Sequence, residues 1–308
     1  MAVGARKEFL EAVQKLNVNR GGGRPSPHKP VLLLALLDLR LAGKLFENRI
    51  QLFPALMTRY KEFFDVVAQG RDTPNIHLPY FYMRSEPFWE LHPASGHGGG
   101  FGPVGSLNDA REKIAYASLD EAVWEELKDP QFVEETAQVI MGHWFPEKLE
   151  AMRSAWARSK EVSRYEIALE DGAAEVAEST GLYVPARDAA FRRLVVEGYD
   201  YRCAASGWRF TLEGWSLVEA AHIVPFSESH DDRPENGIAL TPSFHRLMDK
   251  RVIAPGPDLK WHVSSVVDRR IPDNQQLVEL DGASLILPQN PKFHPDPASL
   301  ERRQNQLL

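Results

Sequence analysis

The stretch Glu219-Ala220-Ala221-His222-Ile223-Val224-Pro225, followed by Asn236-Gly237-Ile238-Ala239-Leu240 and then Phe244-His245-Arg246-Leu247-Met248-Asp249, constrains this chain more than any other. Aliphatic residues flank His222 and follow Asn236, so each run is expected as a short strand. The polar loop Ser227 to Glu235 separates the two, and Thr241-Pro242-Ser243 has the character of a helix start. Strand, loop, strand and helix in one short segment define a compact ββα unit that carries a His, an Asn and a second His in order.

Each of these residues has an ordinary explanation when taken singly. His222 suits a satisfied core histidine, and Asn236 suits a turn before Gly237. As an ordered set they suit phosphodiester hydrolysis. That reaction needs a base to activate water, a cation to neutralise charge at the phosphate and leaving oxygen, and a scaffold to hold both. A neutral His serves as the base because its pKa lies near working pH. The amide of Asn236 both donates and accepts, so it can orient the strand or loop that holds the base. His245 and Asp249 are four residues apart on one helix and share a face, so they are expected to grip one cation. An imidazole with a carboxylate suits a divalent ion, Mg²⁺ or Mn²⁺ first, with Ni²⁺, Co²⁺ or Zn²⁺ compatible. The expected catalytic set is His222, Asn236 and His245, and the expected metal ligands are His245 and Asp249. His230 is expected as a loop residue.

A length of 308 residues predicts about two domains, and 43% hydrophobic residues are enough for sizeable cores. The single cysteine, Cys203, excludes an internal disulfide and a cysteine-based zinc ribbon. It is expected as a small buried residue. No apolar run approaches the ~20 residues of a membrane span. The N-terminus lacks a secretion-signal pattern, so a cytoplasmic setting is expected. The net charge of −7 argues mildly against a polyanion binder, but it is unevenly distributed. Residues 1–84 hold 13 Lys and Arg against 7 Asp and Glu, whereas residues 85–150 hold 4 against 13. The local face, and not the sum, decides binding to nucleic acid.

Periodicity predicts helices over 5–17, from His28 to about Leu41, and over 53–67, 108–116, 119–128 and 131–145. Gly43 is a plausible stop for the second. Between the first two lies Asn19-Arg20-Gly21-Gly22-Gly23-Arg24-Pro25, a loop whose glycines allow close backbone approach. Ile76 to Met83 is expected as an extended aromatic strand paired with Phe88 to His92. The expected domains are 1–150, a helical linker over 151–182, a second domain over 183–290 and a Pro-rich, polar tail over 291–308. The acidic, Ala-rich run Ser163 to Gly181 is the heart of the expected linker.

Tyr199-Asp200-Tyr201-Arg202-Cys203, the His222 strand, Asn236-Gly237 and His245 through Asp249 resemble the HNH endonucleases, over roughly residues 185–267. The resemblance implies a ββα-metal fold, with His222 as general base, Asn236 as positioning residue and His245 as metal ligand. One position departs from the family. Many of its members carry Asp or His just before the base, where this chain has Ala221. The cation would then rely on His245, Asp249, phosphate and water, with Glu219 a further carboxylate nearby on the strand.

A second resemblance covers about residues 5–150. Pro27-His28-Lys29-Pro30-Val31-Leu32-Leu33-Leu34 and Pro79-Tyr80-Phe81-Tyr82-Met83-Arg84-Ser85-Glu86-Pro87-Phe88-Trp89 resemble the sulfur-binding domain of phosphorothioate-dependent restriction endonucleases. The family often has Tyr before the proline and Asp-Gly later, where this chain has Leu78 and Glu86-Pro87. The resemblance implies that Pro79 lies against the sulfur with Tyr80 beside it. Sulfur makes one face of the phosphate larger, softer and less hydrated, and a proline ring offers it a rigid apolar surface without a donor. His28 and Lys29, at a helix start, are expected to hold the phosphate. Arg20, Arg24 and Arg84 are expected to reach the duplex.

The fold class expected is α+β in two domains: an N-terminal mixed helical and β domain that binds sulfur-modified DNA, and a C-terminal ββα-metal nuclease. The function implied is a modification-dependent DNA endonuclease acting on phosphorothioated double-stranded DNA. A homodimer is an allowed arrangement, because a duplex has two strands to cut. Two rival readings fit the same residues. In one the first domain reads a methylated or otherwise altered base through the aromatics around Tyr80. In the other the chain is a non-catalytic DNA-binding sensor, which the missing acid at Ala221 would favour.

Overall fold

In a computed structural model the described residues are 2–21, 24–70, 72–95, 102–172, 184–212 and 214–308. Gly22, Gly23 and much of the expected linker, 173–183, lie outside them. The chain divides into two units, Met1–Lys160 and Glu161–Leu308. Among the described residues no helix is long and apolar enough to cross a membrane.

The first unit is organised by α2 (His28–Leu41), which follows α1 (Ala2–Gln14). Pro30 sits in the first turn of α2, where no N–H is needed, and an unbroken run of Val, Leu and Ala follows. Val31, Leu32, Leu34, Ala35 and Leu39 are wholly buried, so α2 is a central helix and not a surface one. Gly43 takes the left-handed conformation (φ 69°) just past its end, as its position predicts. Helix α3 (Pro54–Val67) packs beside α2, and the buried Arg59 pairs with the buried Asp38 at 2.8 Å.

The aromatic run at 76–83 is not a strand. His77–Tyr82 forms the short helix α4, and Met83–Ser85 continues it as a 3₁₀ turn. Pro79 falls in the first helical turn, where its missing N–H is harmless, whereas in a ladder it would leave a gap. The partner of β1 (Trp89–Pro93) comes instead from residues expected as the end of a helix. After α5 (Leu107–Lys113) the chain enters β2 (Ile114–Leu119), antiparallel to β1 with Trp89 opposite Leu119. Short apolar runs are ambiguous between the two periods, and burial against neighbouring elements decides them. Helices α6 (Glu121–Glu126) and α7 (Pro130–Trp144) close the unit near their expected places.

Helix α8 (Leu149–Glu170) extends past the point where the acidic linker was expected to begin. Its last turns are packed: Val162, Glu166 and Leu169 are buried, and Val162 and Leu169 form a small core with Ala186, Ala190 and Leu194 of α9 (Val184–Gly198).

In the second unit a short hairpin, β3 (Thr211–Leu212) and β4 (Trp215–Ser216), leads into β5 (Glu219–His222). The short helix α10 (Phe226–Ser229) follows, then β6 (Gly237–Leu240) and α11 (Pro242–Asp249). Strands β5 and β6 are antiparallel, with Glu219 opposite Leu240 and His222 opposite Gly237. This is the ββα unit expected from sequence. Strands β7 (Ile253–Pro255) and β8 (Trp261–Val263) form a later hairpin, and α12 (Gln275–Leu280) follows. The segment 291–308 does not trail free. It contains α13 (Pro297–Gln304), whose Leu300 is wholly buried, and the Leu308 N–H donates to the Arg251 carbonyl at 3.1 Å. Arg303 is buried too and donates to the Met248 carbonyl. One aliphatic side chain at 300 was enough to make this segment part of the core.

Candidate nuclease site and nucleic-acid face

The nuclease site is built on β5 and the loop that follows it. Asn236 is buried and acts as a staple. Its Oδ1 accepts from the Val224 N–H at 2.9 Å, and its Nδ2 donates to the carbonyls of Val224 at 3.0 Å and Asp231 at 2.9 Å. One amide thereby ties the end of the His222 segment at Val224 to the middle of the polar loop at Asp231. His230, as expected, is a loop residue, in the left-handed region (φ 50°) with its ring edge-on to Phe226.

His222, at the end of β5, has about a quarter of its side chain exposed. Its ring lies flat on Phe191 of α9, with centroids 3.9 Å apart and planes 6° from parallel. Its Nε2 is 2.7 Å from Asp232 Oδ1. Asp232 is buried, and its other oxygen is 2.7 Å from Arg187 Nε. The Arg187 guanidinium in turn lies 3.9 Å above the Phe226 ring. Sequence reasoning did not single out Asp232 or Arg187. The loop 227–235 holds four carboxylates, Glu228, Asp231, Asp232 and Glu235, and nothing local distinguishes the one that faces His222.

His245 and Asp249 are brought together as the helical spacing predicts, with Nε2 3.6 Å from Asp249 Oδ2. The other ring nitrogen, Nδ1, is 2.7 Å from Glu219 Oε1. Glu219 lies on the same strand as His222, three residues away, so the two clusters start from backbone positions roughly 10 Å apart. Ala221, where an acid is common, is wholly buried and offers no donor. Among the described residues no group of three or more His, Cys, Asp or Glu side chains is arranged to hold a metal. The donor set that remains is His245 Nε2 with Asp249, and Glu219 orients the imidazole from behind, as outer carboxylates do for metal-bound histidines. Two donors fit a hard divalent ion that keeps several waters.

Gly237 shows how tightly the surroundings of His222 are packed. Its φ of −118° is open to any residue, so the need for glycine is one of space. A Cβ there would collide with Val195 and lie 3.0 Å from the Phe191 ring on which His222 rests. Gly237→Ala is expected to destabilise the unit by about 1–3 kcal/mol through overpacking. Urea unfolding of the variant against the parent checks this, and a change below about 0.5 kcal/mol would show that the strand shifts freely.

In the first unit the two sequence-distant motifs meet. Lys29 at the start of α2 donates to Ser85 Oγ at 2.8 Å and to Glu86 Oε1 at 2.5 Å, just after α4. The environment differs from the one expected. Tyr80 is buried, with its hydroxyl donating to the Ile50 carbonyl at 2.7 Å and its ring edge-on to Trp89. Burial drives its phenol pKa well up. Tyr80 is therefore a core residue, because the helix turns it inward. Pro79 is buried as well, and Tyr82 is the exposed aromatic of α4.

The expected phosphate holders are already engaged. His28 bonds Ser26 Oγ through Nδ1 at 2.8 Å and the Thr73 carbonyl through Nε2 at 3.0 Å. Burial lowers its pKa, so it supplies no positive charge near neutral pH. Lys29 is buried against Glu86. Arg24 is paired with Asp72, the Arg84 guanidinium lies 3.9 Å over the Phe81 ring, and Arg20 is exposed.

Residues 6–152 match the family model of the ScoMcrA-like DNA sulfur-binding domain, and residues 203–254 match that of the HNH endonucleases. The chain thus joins a DNA sulfur-binding domain to an HNH endonuclease domain. Among solved structures a modification-dependent TagI restriction endonuclease is similar at 20% identity and a TM-score of 0.32, over 45% of this chain and 42% of that one. The chain thus spans less than half of that protein's length. No curated protein matches it.

Proposed function

We propose that this protein is a modification-dependent DNA endonuclease: its first unit binds phosphorothioated double-stranded DNA and its second hydrolyses a nearby phosphodiester bond. The observation that carries the reading is the presence, in one chain, of a DNA sulfur-binding domain and an HNH domain whose His222 is stacked on Phe191, bonded to Asp232 and left partly open.

In this reading His222 Nδ1 takes a proton from water, the water oxygen bonds to phosphorus, and the deoxyribose oxygen leaves with the electron pair and is protonated by solvent. Asn236 keeps the loop beneath the base in place. His245 and Asp249 would hold a divalent ion, Mg²⁺ or Mn²⁺, which supplies charge neutralisation at the scissile phosphate when bound. On the first unit, Tyr82 and Arg84, on and after α4, with His28 at the start of α2, form the face offered to the modified linkage, and the buried Pro79 and Lys29 reach it only where binding uncovers them. Arg20 and Arg24 flank that face in the preceding loop.

The test is cleavage of matched plasmids, sulfur-modified and plain, with Mg²⁺, Mn²⁺, Ni²⁺, Co²⁺ or Zn²⁺ and with chelator. Cutting of the modified plasmid alone, abolished by chelator, is the expected result. Equal cutting of both plasmids would refute the targeting, and cutting in chelator would refute the metal requirement.

A further inference from the structure

We propose that Asp232, clamped by Arg187, is a positioning residue that fixes the tautomer of His222, so that Nδ1 is the nitrogen free to accept a proton from water. This rests on the reading of His222 as the base.

An ionised carboxylate accepts hydrogen bonds and donates none. Asp232 Oδ1 lies 2.7 Å from His222 Nε2, so Nε2 carries the hydrogen, and in a neutral imidazole the lone pair is then on Nδ1. Asp232 cannot easily turn away. Its side chain is about 5% exposed, and its second oxygen is held 2.7 Å from Arg187 Nε, a group that can only donate. Phe191 closes one face of the ring by parallel stacking at 3.9 Å, which fixes the plane in which the Nδ1 lone pair points. Arg187 is itself seated on Phe226. The result is a chain of contacts from α9 to the loop to the end of β5, and each link sets the orientation of the next. Arg187 also compensates the buried charge of Asp232.

A purely structural role for Asp232 makes a different prediction from a tautomer lock, and Asp232→Asn separates them. The Arg187 guanidinium is a cation with no acceptor, so it draws the amide oxygen of the asparagine toward itself and repels the NH₂ group, which turns to His222. Nε2 must then accept, and the ring hydrogen moves to Nδ1, the nitrogen needed as base. A wrong-tautomer asparagine of this kind lowered a serine protease by about 10⁴. The expectation here is a fall in single-turnover cleavage of about 10²- to 10⁴-fold, with DNA binding unchanged.

Removing the clamp should partly reverse the effect. In the double variant Arg187→Leu, Asp232→Asn, no donor competes for the amide oxygen, so it can turn back to accept from Nε2–H. Cleavage should recover at least tenfold over Asp232→Asn alone. Arg187→Lys with Asp232→Asn keeps a donor and should stay low. The direct readout needs no activity: ¹⁵N chemical shifts of His222 in the full chain, assigned against His222→Ala, should show Nε2–H in the parent and Nδ1–H in Asp232→Asn. If Asp232→Asn keeps Nε2–H, or cuts at the parental rate while His222→Ala is dead, the tautomer lock is wrong and the base assignment stands. If His222→Ala still cuts, the base assignment itself has failed.

Discussion

His222→Ala is expected to abolish strand cleavage while leaving binding of sulfur-modified duplex unchanged. General-base catalysis contributes about 10²- to 10⁴-fold, and the variant removes the base outright. The ring also fills the space against Phe191, but with about a quarter of the side chain open its loss leaves a solvent-filled notch and not a sealed cavity. The second unit should therefore stay folded. Single-turnover cleavage measured beside a gel-shift titration on the same duplex separates catalysis from binding. Cleavage within tenfold of the parent would remove His222 from the chemistry. Loss of binding and cleavage together would mean that the units do not act independently, and the division of labour proposed above would fail.

Glu86→Ala is expected to destabilise the first unit by about 3–5 kcal/mol, because it strands a buried ammonium. The side chains of Lys29 and Glu86 are only 7% and 5% exposed, and Glu86 also accepts from the Asn17 N–H at 3.1 Å and from Ser85 Oγ at 3.0 Å. Three donors would lose one acceptor. Hydrogen exchange of the α2 amides in the full chain reads this locally, which matters because two units need not unfold together. The double variant Lys29→Met, Glu86→Leu should regain much of the loss, since an apolar pair of similar volume replaces both charges. A change below about 1 kcal/mol in Glu86→Ala would mean that Lys29 finds water. The same pair bears on the proposed DNA binding. The Lys29 charge is already balanced by Glu86, so in that reading affinity at this face must draw on Arg20 and on arginines released from their own partners.

Much of the second unit was legible in the sequence because its signals are local. The alternation around His222, the polar loop, the glycine after Asn236 and the four-residue spacing of His245 and Asp249 are set by neighbours in the chain, and each formed as the spacing predicts. The central helix α2 was equally plain, since an apolar run opened by Pro30 and stopped by Gly43 has few other solutions. The aromatic segment at 76–83 was not legible. Its six residues from His77 to Tyr82 could serve either period, and the strand β1 had to choose between that run and Ile114–Leu119 for a partner. The packed tail was missed for the same reason: Leu300 in a polar stretch carries no periodicity of its own.

Sequence alone determined the central helix α2, the ββα unit and the identity of the His, Asn, His series, because backbone preference and hydrophobic spacing act over a few residues. Only the tertiary structure decided which carboxylate faces His222, that Tyr80 turns inward, and that Lys29 is spoken for by a glutamate 57 residues away. Those choices depend on which buried charges and donors find partners once the chain has closed on itself. A polar group far along the chain becomes a partner only when packing removes the water that would otherwise have satisfied both.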